Sequence, residues 1–181
     1  AVRLATRQAM RLLGSHFVHG QTIAEALERA KSDEESRFSF DMLGEGARTA
    51  ADAARYFSSY AHAIETIGRS SKAKDLPERP GISVKLSALH PRYSRAQHAR
   101  VMDQLLPRVR SLVLLAKKYN IGLNIDAEEA DRLEISLDMM EALAFDPELA
   151  GFDGIGFVVQ AYLKRCPFVI DFLTDLARRS G

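Results

Sequence analysis

The sequence predicts an α/β fold on a parallel sheet: two helices, then four consecutive strand–helix units. Short runs rich in β-branched and aromatic residues alternate with longer segments whose apolar residues recur at helical spacing, and this alternation marks parallel pairing in a doubly wound sheet or a barrel. Only four such units occur in the 181 residues, whereas a complete (β/α)8 barrel takes about 250, so the chain reads as half of one. Polar residues also recur where the strands end, the side on which both kinds of parallel sheet hold ligands.

Taken in order, residues 2–13 carry Val2, Leu4, Ala5, Ala9, Leu12 and Leu13 at helical spacing, stop at Gly14 and present a basic face of Arg3, Arg7 and Arg11. The stretch "QTIAEALERAKSDEE" predicts a second helix with Thr22 as N-cap and Glu25 three residues on. "RFSFDML" alternates as a strand ending near Asp41, followed by an alanine-rich helix from Arg48 to Ile67. The polar, basic run "GRSSKAKDLPERPG", Gly68 to Gly81, predicts a mobile surface loop before the strand "GISVKL". Ser94 is placed to cap a long helix reaching Tyr119, with Val101, Leu105, Val109, Leu112 and Leu115 on one face and Pro107 positioned to kink it. The strand "IGLNID" ends at Asp126, "AEEADRLEISLDMMEALAF" forms the next helix and "DPELAG" turns the chain. The last unit is the strand "GIGFVVQAY" and a helix over "RCPFVIDFLTDLARRSG", with Pro167 in its first turn and basic residues at its end.

Composition narrows the function classes. The chain is 46% apolar, enough for a sizeable core, and its 25 Lys and Arg nearly balance 24 Asp and Glu, which gives no global field for nucleic acid or an acidic membrane. The single cysteine, Cys166, rules out an internal disulfide framework and a multi-cysteine zinc site, so a cytosolic setting is the default. No apolar run approaches the roughly 18 residues of a spanning helix. The first residue is not methionine, and the expectation is a segment of a longer protein.

The strand ends carry Asp41 with Glu45 beyond it, Lys85 with Ser87 and His90, Asp126 with Glu128 and Glu129, and Gln160 with Tyr162. Together they point to one shared site, although polar residues are common wherever strands turn into loops. Lys85 stands out, because a lysine closing an apolar strand needs an anion to face. The fingerprints of a Rossmann dinucleotide site, a P-loop, a zincin and a nucleophile elbow are missing, and the GxG of "DMLGEGA" stands alone. Histidines 16, 19, 62, 90 and 98 lack metal-ligand spacing and read mostly as surface or loop residues, with no metal expected. Cys166 reads as structural. Glu128, Glu129 and Asp131 read as favourable first-turn charges of a solvated helix start near Arg132.

At "SVKLSALHPRYSRAQ", "NIDAEEADRLE", "GIGFVVQAYLKR" and "DMLGEGA", the sequence resembles the proline dehydrogenase domain of the bifunctional bacterial proline-utilisation flavoenzymes (PutA), over essentially the whole chain. The resemblance implies a distorted (β/α)8 barrel of TIM type, with residues 1–35 as helical lead-in and 36–181 as its first half. It also implies bound FAD and oxidation of L-proline to Δ1-pyrroline-5-carboxylate, hydride passing from the proline C5 to the flavin N5. Carried over by position, Lys85 resembles the lysine that pairs with the substrate carboxylate, and Asp126 the active-site aspartate that pairs with that lysine. Glu45 resembles the glutamate that pairs with an arginine to close the pocket. Asp126, Ala127 and Val158 fall among the flavin contacts, and Gln160 resembles the glutamine bonded to the isoalloxazine ring. The structural alternatives are a Lys85–Asp126 pair that only satisfies two charges and a Gln160 that only caps strand backbone.

Further partners implied by the resemblance are a quinone-type electron acceptor and a pyrroline-5-carboxylate dehydrogenase domain downstream in the same chain. It implies a cytoplasmic protein that associates peripherally with the inner membrane when reduced. This segment gives no indication of nucleic-acid binding. The family's flavin-contacting arginine and its paired carboxylate-clamping arginines belong to later strands and helices absent from residues 1–181, so the chain alone is expected to be inactive. Two other readings stay open: a non-catalytic, self-associating barrel fragment, and a different barrel enzyme using Lys85 as a Schiff-base amine.

Overall fold

The computed structural model describes residues 2–14, 18–33 and 35–181. His16 and the side chain of Arg11 lie outside the described residues. Helix α1 (Val2–Gly14) leaves Val2, Leu4, Met10, Leu12 and Leu13 exposed. Helix α2 (Ile23–Ala30) starts at the predicted Thr22, whose hydroxyl accepts from the Glu25 N–H, while the Glu25 carboxylate accepts from the N–H of Gln21, one residue ahead of the cap. Ile23, Ala26 and Leu27 are its buried side.

The four strand–helix units follow: β1 (Ser39–Asp41) with α3 (Ala50–Ser70), β2 (Gly81–Val84) with α4 (Leu86–Leu89), α5 (His98–Gln104) and α6 (Leu106–Tyr119), β3 (Leu123–Ile125) with α7 (Leu133–Ala144), and β4 (Ile155–Phe157) with α8 (Cys166–Ser180). All pairings are parallel in the order β1-β2-β3-β4. Sequential order sends every crossover round the same way, because βαβ connections share one hand. The burial alternates accordingly. Phe40, Ile82, Val84, Leu123 and Ile125 enter one core cluster with Ile64 and Ile67 of α3, Leu112 and Val113 of α6, and Ile135 and Met139 of α7. On the opposite face the register aligns Asp41, Ser83, Asn124 and Gly156, so that face is polar.

Several elements differ from expectation for identifiable reasons. The alanine-rich helix starts two residues late, at a capping box between Thr49 and Asp52, and runs on through Ser70. The Gly68–Gly81 loop is tied down by Arg79, whose guanidinium donates to the carbonyls of Gly68, Ala73 and Tyr119. Residues after Lys85 coil into the short α4 instead of ending a strand. The long helix expected from Ser94 is two helices: Ser94 makes no side-chain cap, a 3-10 turn (Arg95–Gln97) precedes α5, and Pro107, lacking an N–H, sits in the first turn of α6. Residues 127–129 stay outside any helix, and α7 begins only at Leu133. The last strand is three residues long, and Gln160 and Tyr162 lie past its end.

Candidate functional site

Lys85 is the centre of the strand-end constellation. Its Nζ donates to Asp126 Oδ2 at 2.6 Å and to Asp41 Oδ2 at 2.6 Å, with the lysine side chain 17% exposed. The three residues come from three adjacent strands. Burial works to lower the lysine's pKa, but the hydrogen bonds it donates to Asp126 and Asp41 outweigh it and hold the group well above its ordinary 10.5, as an ammonium. An ammonium has three donors, and two are used here. The pairing with Asp126 follows from register, since Val84 lies beside Ile125 and the next residues are Lys85 and Asp126. Asp41 reaches the same nitrogen from one layer below, level with Ser83.

The supports around Lys85 are ordered. Its backbone N–H donates to the hydroxyl of Tyr60, 3.2 Å away on α3. Tyr60 is 1% exposed, and burial pushes its phenol up to about 12, so it stays a neutral hydroxyl. Asp126 Oδ1 accepts from the N–H of Ala127 at 3.0 Å, leaving Oδ2 to the lysine. Gln160 donates its Nε2 to the carbonyl of Glu128 at 3.0 Å. Ala127, Val158 and Gln160 border one small hollow with Leu133 and Leu163, and the Val158 side chain is exposed. Glu45 is exposed and forms no ion pair among the described residues. Gly44 and Gly46 flank it at positive φ, 144° and 63°, and a Cβ on Gly44 would lie 2.3 Å from the Tyr56 ring. The isolated GxG is therefore a turn that presents Glu45.

Two predicted groups behave differently. His90 is buried: its Nδ1 accepts from the Arg92 N–H and its Nε2 faces Gln104 Oε1 at 3.1 Å. Glu128 is not a solvated first-turn charge. Its side chain is 7% exposed, with Oε1 accepting from the N–H and the hydroxyl of Ser87 and Oε2 from Arg132. Cys166 is buried and free, as a structural thiol would be. Sequence reasoning missed Tyr60 and the link from Asp41 to Lys85. The second carried a signal, because Asp41 and Lys85 both end strands that are neighbours in chain order.

Comparison with known proteins gives a consistent set of likenesses. A family model described as proline dehydrogenase matches residues 23–181. The bifunctional protein PutA of Klebsiella aerogenes is 64% identical over 181 residues, covering 99% of this chain and 14% of that protein. The proline dehydrogenase of Deinococcus radiodurans is 25% identical over 166 residues, 91% of this chain and 49% of that protein. A crystal structure of a Bradyrhizobium japonicum PutA mutant superposes with a TM-score of 0.85 at 59% identity, covering 99% of this chain and 18% of that one. PutA from Bdellovibrio bacteriovorus shares the fold at 23% identity, with a TM-score of 0.88 over 98% of this chain and 20% of that one. The chain thus spans only a small part of the PutA relatives it matches.

Proposed function

The chain belongs to the proline dehydrogenase family, and we propose that, within its full-length protein, it supplies the first half of a (β/α)8 barrel that oxidises L-proline to Δ1-pyrroline-5-carboxylate. A single direction of crossover and a sheet with one polar face support the barrel over a doubly wound sheet, which carries helices on both faces. The observation that carries the reading is Lys85: a charged ammonium at a strand end, aimed by two aspartates, with a third N–H left for a substrate carboxylate.

FAD is the cofactor that the family resemblance brings, and the residues present fit one wall of its site. Val158 offers an exposed apolar side chain. Gln160 holds its amide fixed by the Glu128 carbonyl and leaves Oε1 without a partner among the described residues, which suits a planar ring with donors and acceptors along one edge. Bound there, FAD supplies the two-electron acceptor for the oxidation. The chain's own residues do the rest. Lys85 binds and orients the proline carboxylate, Asp126 and Asp41 hold that ammonium in place, and Glu45, presented on its glycine turn, closes the substrate side. The product then passes to the pyrroline-5-carboxylate dehydrogenase domain of the full-length protein, and the electrons to a quinone-type acceptor.

The test is a flavin titration of the full-length protein beside residues 1–181, with the visible spectrum recorded before and after anaerobic L-proline. The full-length protein is expected to bind FAD and be bleached by proline, and the 1–181 segment to do neither. A flavin-bound full-length protein whose spectrum proline leaves unchanged overturns the reading.

A further inference from the structure

We propose that Glu128 is a positioning residue for the substrate side of this site: through Ser87 it fixes the turn that presents Glu45. The inference rests on the proline dehydrogenase reading above. Glu128 Oε1 accepts from the Ser87 hydroxyl at 2.6 Å and from the Ser87 N–H at 3.1 Å, and its side chain is 7% exposed. Ser87 in turn holds the glycine turn twice, its Oγ accepting from the Gly46 N–H at 3.0 Å and its carbonyl from the Ala47 N–H at 2.9 Å.

A serine hydroxyl has one hydrogen to donate. Because that hydrogen goes to Glu128, the oxygen's lone pairs are left facing Gly46. The carboxylate therefore sets the rotor that receives the turn. Gly44 and Gly46 carry no Cβ and give the backbone around Glu45 little stiffness of its own, so its position depends on these contacts. On the flavin side the connection differs in kind: Gln160 donates to the main-chain carbonyl of Glu128, a contact that side-chain replacement leaves in place. Changing the Glu128 side chain should thus move the substrate side and spare the flavin side.

The experiment is a double-mutant cycle in the full-length protein, reading the proline KM, kcat and flavin content of Glu128→Ala, Glu45→Ala and the double variant. Each single change is expected to raise KM about tenfold, the scale of one charge-assisted hydrogen bond, with flavin content retained. The double variant is expected to match Glu45→Ala alone, since Glu128 acts through that turn. Glu128→Gln, which keeps one acceptor for Ser87, should fall between parent and Glu128→Ala. If Glu128→Ala fails to fold, Ser87→Ala and Glu128→Gln complete the same cycle. Multiplying effects, or a KM unchanged while only thermal stability falls, overturn the positioning role and leave the function standing. A Glu45→Ala with the parent's KM likewise overturns the positioning role alone, whereas a parent that proline does not bleach overturns both.

Discussion

Replacing Lys85 with methionine in the full-length protein keeps most of the unbranched apolar stem and removes the charge and the donors. The Lys85 side chain is 17% exposed and that of its partner Asp126 21%, so the hydrogen bond between them is largely shielded from water. A hydrogen bond to a charged group is worth about 1.5–3 kcal/mol. Losing the one offered to the substrate carboxylate therefore predicts a rise in proline KM of roughly 10- to 100-fold. Lys85→Met also leaves two carboxylates, each previously 2.6 Å from one nitrogen, facing each other without a cation. Like charges so placed repel each other and an incoming proline carboxylate, which adds to the expected rise in KM. In the parent, Lys85 stays an ammonium through the neutral range. Its folded pKa lies above the ordinary value of 10.5, so the stabilisation it provides is fully present below that value and lost only as pH rises through the higher one. Steady-state kinetics across pH 5.5–8.5, with flavin content measured alongside, make the assay. A KM within twofold of the parent, or flavin lost in proportion to activity, would refute the reasoning.

Three further outcomes are expected. Borohydride with a carbonyl substrate should trap no adduct at Lys85 at neutral pH, because an amine held as ammonium by two aspartates is no nucleophile; mass spectrometry showing the adduct would revive the Schiff-base reading. Gly156→Ala should destabilise the fold by less than about 1 kcal/mol in chemical denaturation, because its Cβ would meet the terminal Oδ1 of Asn124 on β3, the end of a side chain that can turn aside. Adding Asn124→Ala should recover most of that loss. Arg110→Ala should cost stability at pH 7 and progressively less toward pH 2: the hydrogen bond from Arg110 holds Asp146 below its ordinary carboxylate value, so the contribution is present above that ordinary value and lost as pH falls through the lower one. Denaturation curves that keep the same gap at both ends of that range would count against the pairing.

Element type was legible in the sequence where one period dominated. Alternation in "RFSFDML" and "GISVKL" and helical spacing in the alanine-rich segment fix strands and helices, and chain order alone gives a parallel sheet. Boundaries failed where a side chain engaged a distant residue. Residues 127–129 resemble a helix start in composition, yet Glu128 is drawn inward by Ser87, 41 positions away. Gly68 to Gly81 has loop composition, yet Arg79 pins it to Tyr119, 40 positions away. The site was legible in the same uneven way. The family resemblance alone paired Asp126 with Lys85, while Tyr60 was invisible because a tyrosine on an apolar helix face is normally core, and only the tertiary packing of α3 brings its hydroxyl to the Lys85 N–H.

The charge around Lys85 bears on how the substrate is held. One ammonium faces two carboxylates, so the constellation carries net negative charge before any ligand arrives. A proline carboxylate adds a third anion, and one remaining N–H of Lys85 does not balance it. Arg132, on the segment that follows Asp126, is already committed to Glu128 and Glu129. Under the proposed function, binding would then draw on cations from elsewhere in the full-length protein, the part the family resemblance assigns to paired arginines of the last barrel helix. On this reasoning Asp41 and Asp126 do two jobs: they fix the ammonium in place, and they keep its attraction for stray anions low until the remaining cations complete the site. In the proposed site the strands set where the Lys85 ammonium stands, and the further cations would add to the affinity that its remaining N–H supplies.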